Sequence, residues 1–429
     1  MNIYNLKLKI TLLKIIIRIN LLFFCFITNA NDSGLKHASP DELGLSEFKL
    51  DKIDQVFNKA IKNKEIPGAV IAISRYGKIA YFRAFGIQNP EKGITMKTNS
   101  IFRIYSMTKP IISVGAMILN ENGSIYLHEP LEKYIPNFTN LKIAEEINNG
   151  DKIKEILVPA KSKINIHNLL THTSGITYGV FGNSYAKRIL KKSDIGKLNL
   201  ESIYLEHYVN KLAEMPLAYS PGTTWEYGRS IEVLGRVIEV ASNEPLDIFL
   251  NNKIFKPLKM KDTSFYVEEN KWHRIAEPFK EKNPKLINIK NKPNFLTGGH
   301  GLTSTVSDYM RFCLMLLKQG TLDGKNILSK KTIEYMTSNH LGDNISRDEP
   351  YFLPGPGYGF GLGFAVRESE GLSSWMGSKG EYFWAGYAGT YFWIDPKEEL
   401  VVVSMTQSVN NRMKFRMLLR NLVYQSIIK

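Results

Sequence analysis

Phe102-Arg103-Ile104-Tyr105-Ser106-Met107-Thr108-Lys109-Pro110 runs straight into Ile-Ile-Ser-Val-Gly-Ala-Met-Ile-Leu, residues 111–119, and then Asn-Glu-Asn-Gly123. The apolar run predicts a buried helix that stops at Gly123, a residue free to take the left-handed end conformation. Pro110 falls in the first turn, where its missing N–H costs little. Ser106 then sits at or next to the helix N-terminus, and Lys109 lies one turn on, on the same face. A Ser hydroxyl beside an ammonium, at the positive end of a helix, is a candidate activated nucleophile. The same Ser-x-x-Lys spacing recurs at Ser33/Lys36, Ser46/Lys49, Ser184/Lys187 and Ser426/Lys429. Those pairs lie in polar segments or at the chain end, so the setting, and not the tetrad, carries the signal.

Working outward, residues 46–65 predict an amphipathic helix, with Leu50, Ile53, Phe57, Ala60 and Ile61 at helical spacing. Ala69–Ser74 and Lys78–Phe85 read as a hairpin joined at Arg75-Tyr76-Gly77. Residues 124–290 are more polar, with several helical patterns and few strands. Residues 302–318 predict a helix capped by Ser304 or Thr305. From Gly357 the pattern turns to strands: Tyr358–Val366, Tyr382–Ala385, Thr390–Ile394 and Leu400–Met405, with a turn at Asp395-Pro396-Lys397-Glu398. A last helix covers about 410–427. The expected class is α+β, an α/β sandwich. N- and C-terminal strands form one antiparallel sheet flanked by helices, with a mostly helical insertion. The expected division is a leader, 1–30, then one domain, 31–429, whose α/β part is 31–123 and 291–429 and whose insertion is 124–290.

The first 30 residues carry Lys7, Lys9, Lys14 and Arg18, then an apolar run from Asn20 to Ile27, then Thr28-Asn29-Ala30. This predicts a secretory signal and an exported protein, periplasmic or secreted from a bacterium. Lys14 and Arg18 leave far fewer than the ~20 apolar residues a bilayer span needs, so no stable membrane insertion is expected after cleavage. Bulky Phe23 and Phe24 argue against lipidation at Cys25. Cleavage leaves only Cys313, which excludes an intrachain disulfide and reads as a buried apolar residue. The formal charge is +15, and +11 without those four basic residues. The lysines are dispersed and no nucleic-acid motif appears, so the charge reads as a solvated surface rather than a nucleic-acid face.

The residues resemble the serine β-lactamase and penicillin-recognising superfamily, in its class C-like branch with family VIII carboxylesterases. The 102–110 stretch looks like the nucleophile motif. Leu169-Leu170-Thr171-His172-Thr173-Ser174-Gly175, Pro221-Gly222-Thr223-Thr224-Trp225-Glu226-Tyr227, Leu234–Glu239 and Gly357–Gly363 follow in family order, over roughly residues 40–427. The resemblance implies a β-lactamase/transpeptidase-like fold and an acyl-enzyme on Ser106. Lys109 would accept or relay the serine proton and stabilise negative charge nearby. Tyr227, a phenol of ordinary pKa ~10 drawn down between cations, would act as base and then as acid. By family alignment the oxyanion hole would use the backbone N–H groups of Ser106 and Tyr387. Two departures stand out. The second motif is Tyr227-Gly228-Arg229, with Arg229 where an Asn is usual. The third is Trp384-Ala385-Gly386, with an indole where a Lys is usual. Both changes weaken the case for β-lactam hydrolysis, and the Trp suits an uncharged ester, with Arg229 or Lys379 left to supply positive charge.

The sequence therefore reads as an exported serine hydrolase of carboxylic esters, with a small-molecule ester or amide as its partner. The same serine would also serve a β-lactamase, D-aminopeptidase, DD-peptidase or acyltransferase. A non-catalytic envelope binding protein is the remaining reading. Blander assignments exist for each residue: Ser106 as a helix cap, Lys109 as an exposed helical lysine, Tyr227 and Trp384 as packing aromatics. His172 reads as a structural hydrogen-bonding residue. No Gly-x-Ser-x-Gly elbow, His-x-x-x-His pair, P-loop or dinucleotide fingerprint appears, so neither metal nor organic cofactor is expected.

Overall fold

A continuous apolar run such as Leu400-Val-Val-Val403 can form a strand only if both of its faces are covered. In the structure, a computed structural model that describes residues 34–148, 150, 153–197, 202–347 and 352–429, that condition is met. The expected leader, 1–30, with Cys25, lies outside the described residues. His37–Lys429 form one compact unit. The chain runs α1 (Glu47–Lys62), β1 (Gly68–Arg75), β2 (Lys78–Asn89), β3 (Ile94–Thr95), β4 (Phe102–Arg103), α2 (Thr108–Glu121), β5 (Lys142–Asn148), β6 (Ile153–Pro159), α3 (Ile166–Leu170), α4 (Tyr185–Lys192), α5 (Leu205–Ala213), α6 (Ser230–Ser242) and α7 (Leu246–Leu250). It continues through β7 (Thr303–Ser304), α8 (Val306–Leu317), β8 (Thr321–Leu322), β9 (Lys325–Asn326), α9 (Lys330–Met336), β10 (Tyr358–Phe360), β11 (Ala365–Arg367), β12 (Tyr382–Ala385), β13 (Tyr391–Asp395), β14 (Leu400–Thr406) and α10 (Arg412–Tyr424).

One eight-stranded antiparallel sheet has the order β10-β11-β12-β13-β14-β1-β2-β3. The N-terminal hairpin closes on the C-terminal strand, with Ala72 opposite Val403 and Ile73 opposite Val402. Strands β1, β13 and β14 are buried along their whole length. Alternate residues of β13 show what covers them. Phe392 meets Tyr309 of α8 with ring centroids 5.1 Å apart, while Tyr391 and Trp393 lie under Arg420 of α10. Helix α1 joins the α10 layer, with Phe57 5.5 Å from Phe415 and 5.9 Å from Phe85 of β2.

Across the insertion, β4 pairs with β7, Phe102 opposite Ser304, so residues far apart in sequence meet just before Ser106. Helix α2 is buried through most of its length and packs on α6 and α7. Thr305, not Ser304, caps α8, its side chain accepting from the Asp308 amide at 3.2 Å. One expectation needs correction. The Tyr358–Val366 segment is two strands, β10 and β11, because Gly361-Leu362-Gly363 turns the chain back and pairs Phe360 with Ala365. Besides its helices, the 124–290 region includes a hairpin of two seven-residue strands, β5–β6, whose sequences Lys-Ile-Ala-Glu-Glu-Ile-Asn and Ile-Lys-Glu-Ile-Leu-Val-Pro show no strict apolar alternation. No helix among the described residues is long and apolar enough to cross a membrane.

Candidate active site

Ser106 lies in a 3-10 turn, Tyr105–Met107, that leads directly into α2. Tyr105 holds φ 45°, a left-handed conformation that costs a bulky residue ~1–2 kcal/mol. It is held there from outside the turn: its hydroxyl accepts from the Ile287 amide at 3.1 Å, and its ring meets Tyr387 edge-on at 5.6 Å.

One turn on, Lys109 is 1% exposed, which rules out an ordinary surface lysine. Its Nζ donates to Ser106 Oγ at 3.2 Å, Tyr178 Oη at 3.2 Å and the Gly299 carbonyl at 2.8 Å. Three oxygens thus meet the three hydrogens of an ammonium. Tyr178 donates onward to Glu232 Oε1 at 3.2 Å, and His300 Nδ1 lies 3.4 Å from the same oxygen. Burial alone would raise the Glu232 carboxyl, but His300, Lys109 and Arg229 outweigh it and hold the group at about 2. Burial, with the neighbouring carboxylate, pushes the Tyr178 phenol well above its ordinary range. Tyr178 is therefore a neutral link between Lys109 and Glu232, unsuited to be a base.

Tyr227 lies in the loop before α6, its ring 4.9 Å from Lys109 Nζ and 5.5 Å from the Tyr178 ring. Among the described residues its hydroxyl has no hydrogen-bond partner. Gly228 makes this approach possible: a Cβ there would sit 1.8 Å from the Ile176 carbonyl oxygen. The same loop is pinned by Glu226, whose amide donates to the His172 carbonyl at 2.8 Å and whose carboxylate pairs with buried Lys187 at 3.2 Å.

His172 corrects an expectation. Its ring packs among Trp225, Tyr227 and Phe360, and neither ring nitrogen has a partner among the described residues. Burial and the Lys109 charge push the imidazole down to about 3. It is a neutral packing residue whose backbone, and not its ring, makes the hydrogen bond.

The third-motif strand closes the opposite wall. Trp384 is buried, 5.4 Å from the rings of both Tyr227 and Phe360. Ala385 pairs with Tyr391, and Gly386 donates its amide to Thr390 O at 2.8 Å. Thr390 Oγ1 in turn donates to Ile104 O at 3.1 Å, tying this strand end to the Ser106 turn. Among the described residues neither the Ser106 nor the Tyr387 amide donates to a backbone acceptor. The guanidinium of Arg229 lies 5.5 Å from the ring centroids of Tyr178 and Tyr208, and Lys379 is exposed on the turn before β12.

The structure thus brings Ser106, Lys109, Tyr227 and Trp384 together and adds Tyr178, Glu232 and the Gly299 carbonyl. Glu232 left one trace in the sequence: an acid inside the apolar stretch Ile231-Glu232-Val233-Leu234. A charge within a core-facing run signals a buried partner. Tyr178 left none beyond lying in a Gly-rich loop.

An antiparallel sheet with the Ser106 turn at the mouth of a buried helix is the β-lactamase/transpeptidase fold of serine hydrolases. A family model described as Beta-lactamase matches residues 53–424. Protein Rv1367c of Mycobacterium tuberculosis (strain ATCC 25618 / H37Rv) is 30% identical over 365 residues, 80% of this chain and 86% of that protein. Esterase EstB of Burkholderia gladioli is 31% identical over 254 residues, 58% of this chain and 60% of that protein. Among solved structures, EstCE1, a hydrolase with promiscuous acyltransferase activity, superposes with a TM-score of 0.73 at 26% identity, over 88% of this chain and 99% of that one. The chain belongs to the beta-lactamase family.

Proposed function

We propose that the protein cleaves carboxylic esters of small molecules through an acyl-enzyme on Ser106. Ser106 Oγ attacks the carbonyl carbon while its proton passes to the phenolate oxygen of Tyr227, the anionic form that the Lys109 ammonium 4.9 Å from its ring favours. The carbonyl electrons move onto oxygen, facing the amides of Ser106 and Tyr387. Collapse of the tetrahedral intermediate breaks the ester C–O bond, and the leaving alkoxide takes the proton from Tyr227. Water, or a second alcohol, then repeats the sequence in reverse roles and frees Ser106. Lys109 holds positive charge 3.2 Å from the nucleophile throughout.

The observation that carries ester over β-lactam is Trp384, a buried indole where a carboxylate-binding lysine would otherwise stand, against Tyr227 and Phe360. An apolar wall favours an uncharged group and gives a carboxylate nothing to pair with. The relatives named esterase and hydrolase support the same reading. The basic, then apolar, first 30 residues support export, which the N-terminal sequence of the mature protein tests.

Hydrolysis of p-nitrophenyl acetate and butyrate beside a chromogenic cephalosporin tests the ester reading. The expectation is ester turnover with cephalosporin turnover several orders of magnitude lower. Cephalosporin turnover equal to or faster than ester turnover would refute it and favour the β-lactamase reading.

A further inference from the structure

Buried arginines in this protein come with carboxylates. Arg75 pairs with Glu398, Arg103 with Glu277, Arg311 with Asp323, and Arg367 and Arg420 with Glu381. Half-buried Arg416 of α10 pairs with no carboxylate among the described residues. Its Nη2 donates to two backbone carbonyls, Gly386 O and Thr390 O, the latter at 3.3 Å. Its Nη1 reaches only the Met413 sulfur, at 3.6 Å. Its Nε is buried with no partner. The charges that act on it come from Arg412 and the phenols of Tyr391 and Tyr227, and none comes from an acid. Desolvation accordingly pulls the guanidinium down to about 10. A largely desolvated cation without a counter-ion is costly, and negative charge developing nearby offsets that cost.

The carbonyl it grips belongs to the Gly386–Tyr387 peptide, whose N–H has no backbone acceptor among the described residues. A hydrogen bond donated to a peptide oxygen polarises the N–H of the same peptide. Tyr387 is held on its other sides too, by the Tyr105 ring and by the Arg412 guanidinium 5.2 Å from its ring centroid. We propose that Arg416 is a positioning residue for the oxyanion hole: it orients and polarises the Gly386–Tyr387 peptide, and the transition-state oxyanion is its missing counter-charge. This inference rests on the Ser106 acyl-enzyme reading above.

The test compares wild type, Arg416→Ala and Arg416→Lys on p-nitrophenyl butyrate, and measures affinity for phenylboronic acid, which forms a reversible tetrahedral adduct on an active-site serine. Removing a direct oxyanion donor costs ~10²–10³-fold in kcat, so an indirect one is set at about 30-fold. Arg416→Ala is expected to lose that factor in kcat with KM within about threefold, and to bind the boronate about 30-fold more weakly. Arg416→Lys, which keeps a charged donor, is expected to recover most of both. Should Arg416→Ala not fold, Arg416→Gln takes its place, with an expected loss of about tenfold in kcat and in boronate affinity. An unchanged kcat in a folded Ala or Gln variant would overturn the proposal, as would a fall in kcat with boronate affinity intact. Ser106→Ala separates the two readings: ester turnover or boronate binding that survives it refutes the acyl-enzyme, whatever Arg416 does.

Discussion

Gly386→Ala puts the geometry of the site under a single methyl group. The backbone at 386 is not left-handed, so alanine meets no conformational penalty there. Its Cβ would instead lie 2.1 Å from Thr390 Oγ1 and 2.3 Å from the Ile104 carbonyl oxygen. The threonine hydroxyl can rotate away, but the carbonyl cannot, since it is part of the turn that carries Ser106. Restoring an ordinary contact needs the strand end and the turn to part by about 1 Å, at a cost of ~1–3 kcal/mol in stability. That movement separates the Ser106 and Tyr387 amides, and a 1 Å misplacement costs ~10²-fold in rate. Steady-state hydrolysis of p-nitrophenyl butyrate should show kcat down about 100-fold with KM little changed. Gly371→Ala is the control, because no atom lies within 4 Å of a Cβ there. A Gly386→Ala enzyme within about threefold of wild type would refute the claim that this close approach builds the oxyanion site.

The remaining predictions concern the residues around that contact. Glu381 joins Arg367 Nε at 2.9 Å and Arg420 Nη1 at 2.7 Å, all buried, so Glu381→Ala should lose about 3–5 kcal/mol in urea unfolding by stranding two charges; a loss below about 1 kcal/mol would contradict the network's role. Tyr227→Phe should lower kcat by ~10²–10⁴-fold as a lost proton carrier, and Tyr178→Phe by no more than about 10–100-fold as a lost link; the reverse order in kcat would reassign the base. His172 is held at about 3 and His167 at about 4, with His340 also lowered, in each case first by burial. Groups held below their unfolded value of ~6.5 give stability that is complete above that pH and lost as pH falls through it toward 3–4, by up to ~1.4 kcal/mol per pH unit for each. The urea midpoint should therefore drop between pH 6.5 and 4.5, and His172→Phe should shallow that slope; identical slopes would show that His172 is not buried neutral.

The helical and strand periods were legible because each face of the sheet and each stripe of α1, α2 and α8 reports its burial in one run of residues. Ser106 and Lys109 were legible for a related reason, since one local turn sets their spacing. Contacts made by folding were not. Tyr178 reaches Lys109 where Gly228 lets the Tyr227 loop close on Ile176, and Glu232 meets Tyr178 from α6. Arg416 meets Gly386 across 30 residues by way of the α10 layer. The β5–β6 hairpin was hidden because its largely exposed strands do not alternate apolar and polar residues. Trp384 was picked out by its motif position, whereas its tilted ring contact with Tyr227, centroids 5.4 Å apart, appears only in three dimensions.

The central claim is a covalent acyl group on Ser106 in a site where Lys109 and Tyr227 surround it. Intact-mass analysis of protein quenched during turnover of p-nitrophenyl butyrate, followed by peptide mapping, tests it most directly. The account predicts one added butyryl group, located on the peptide that contains Ser106 and absent from Ser106→Ala. Undiminished ester turnover by Ser106→Ala, or a butyryl group on any other residue, would contradict it.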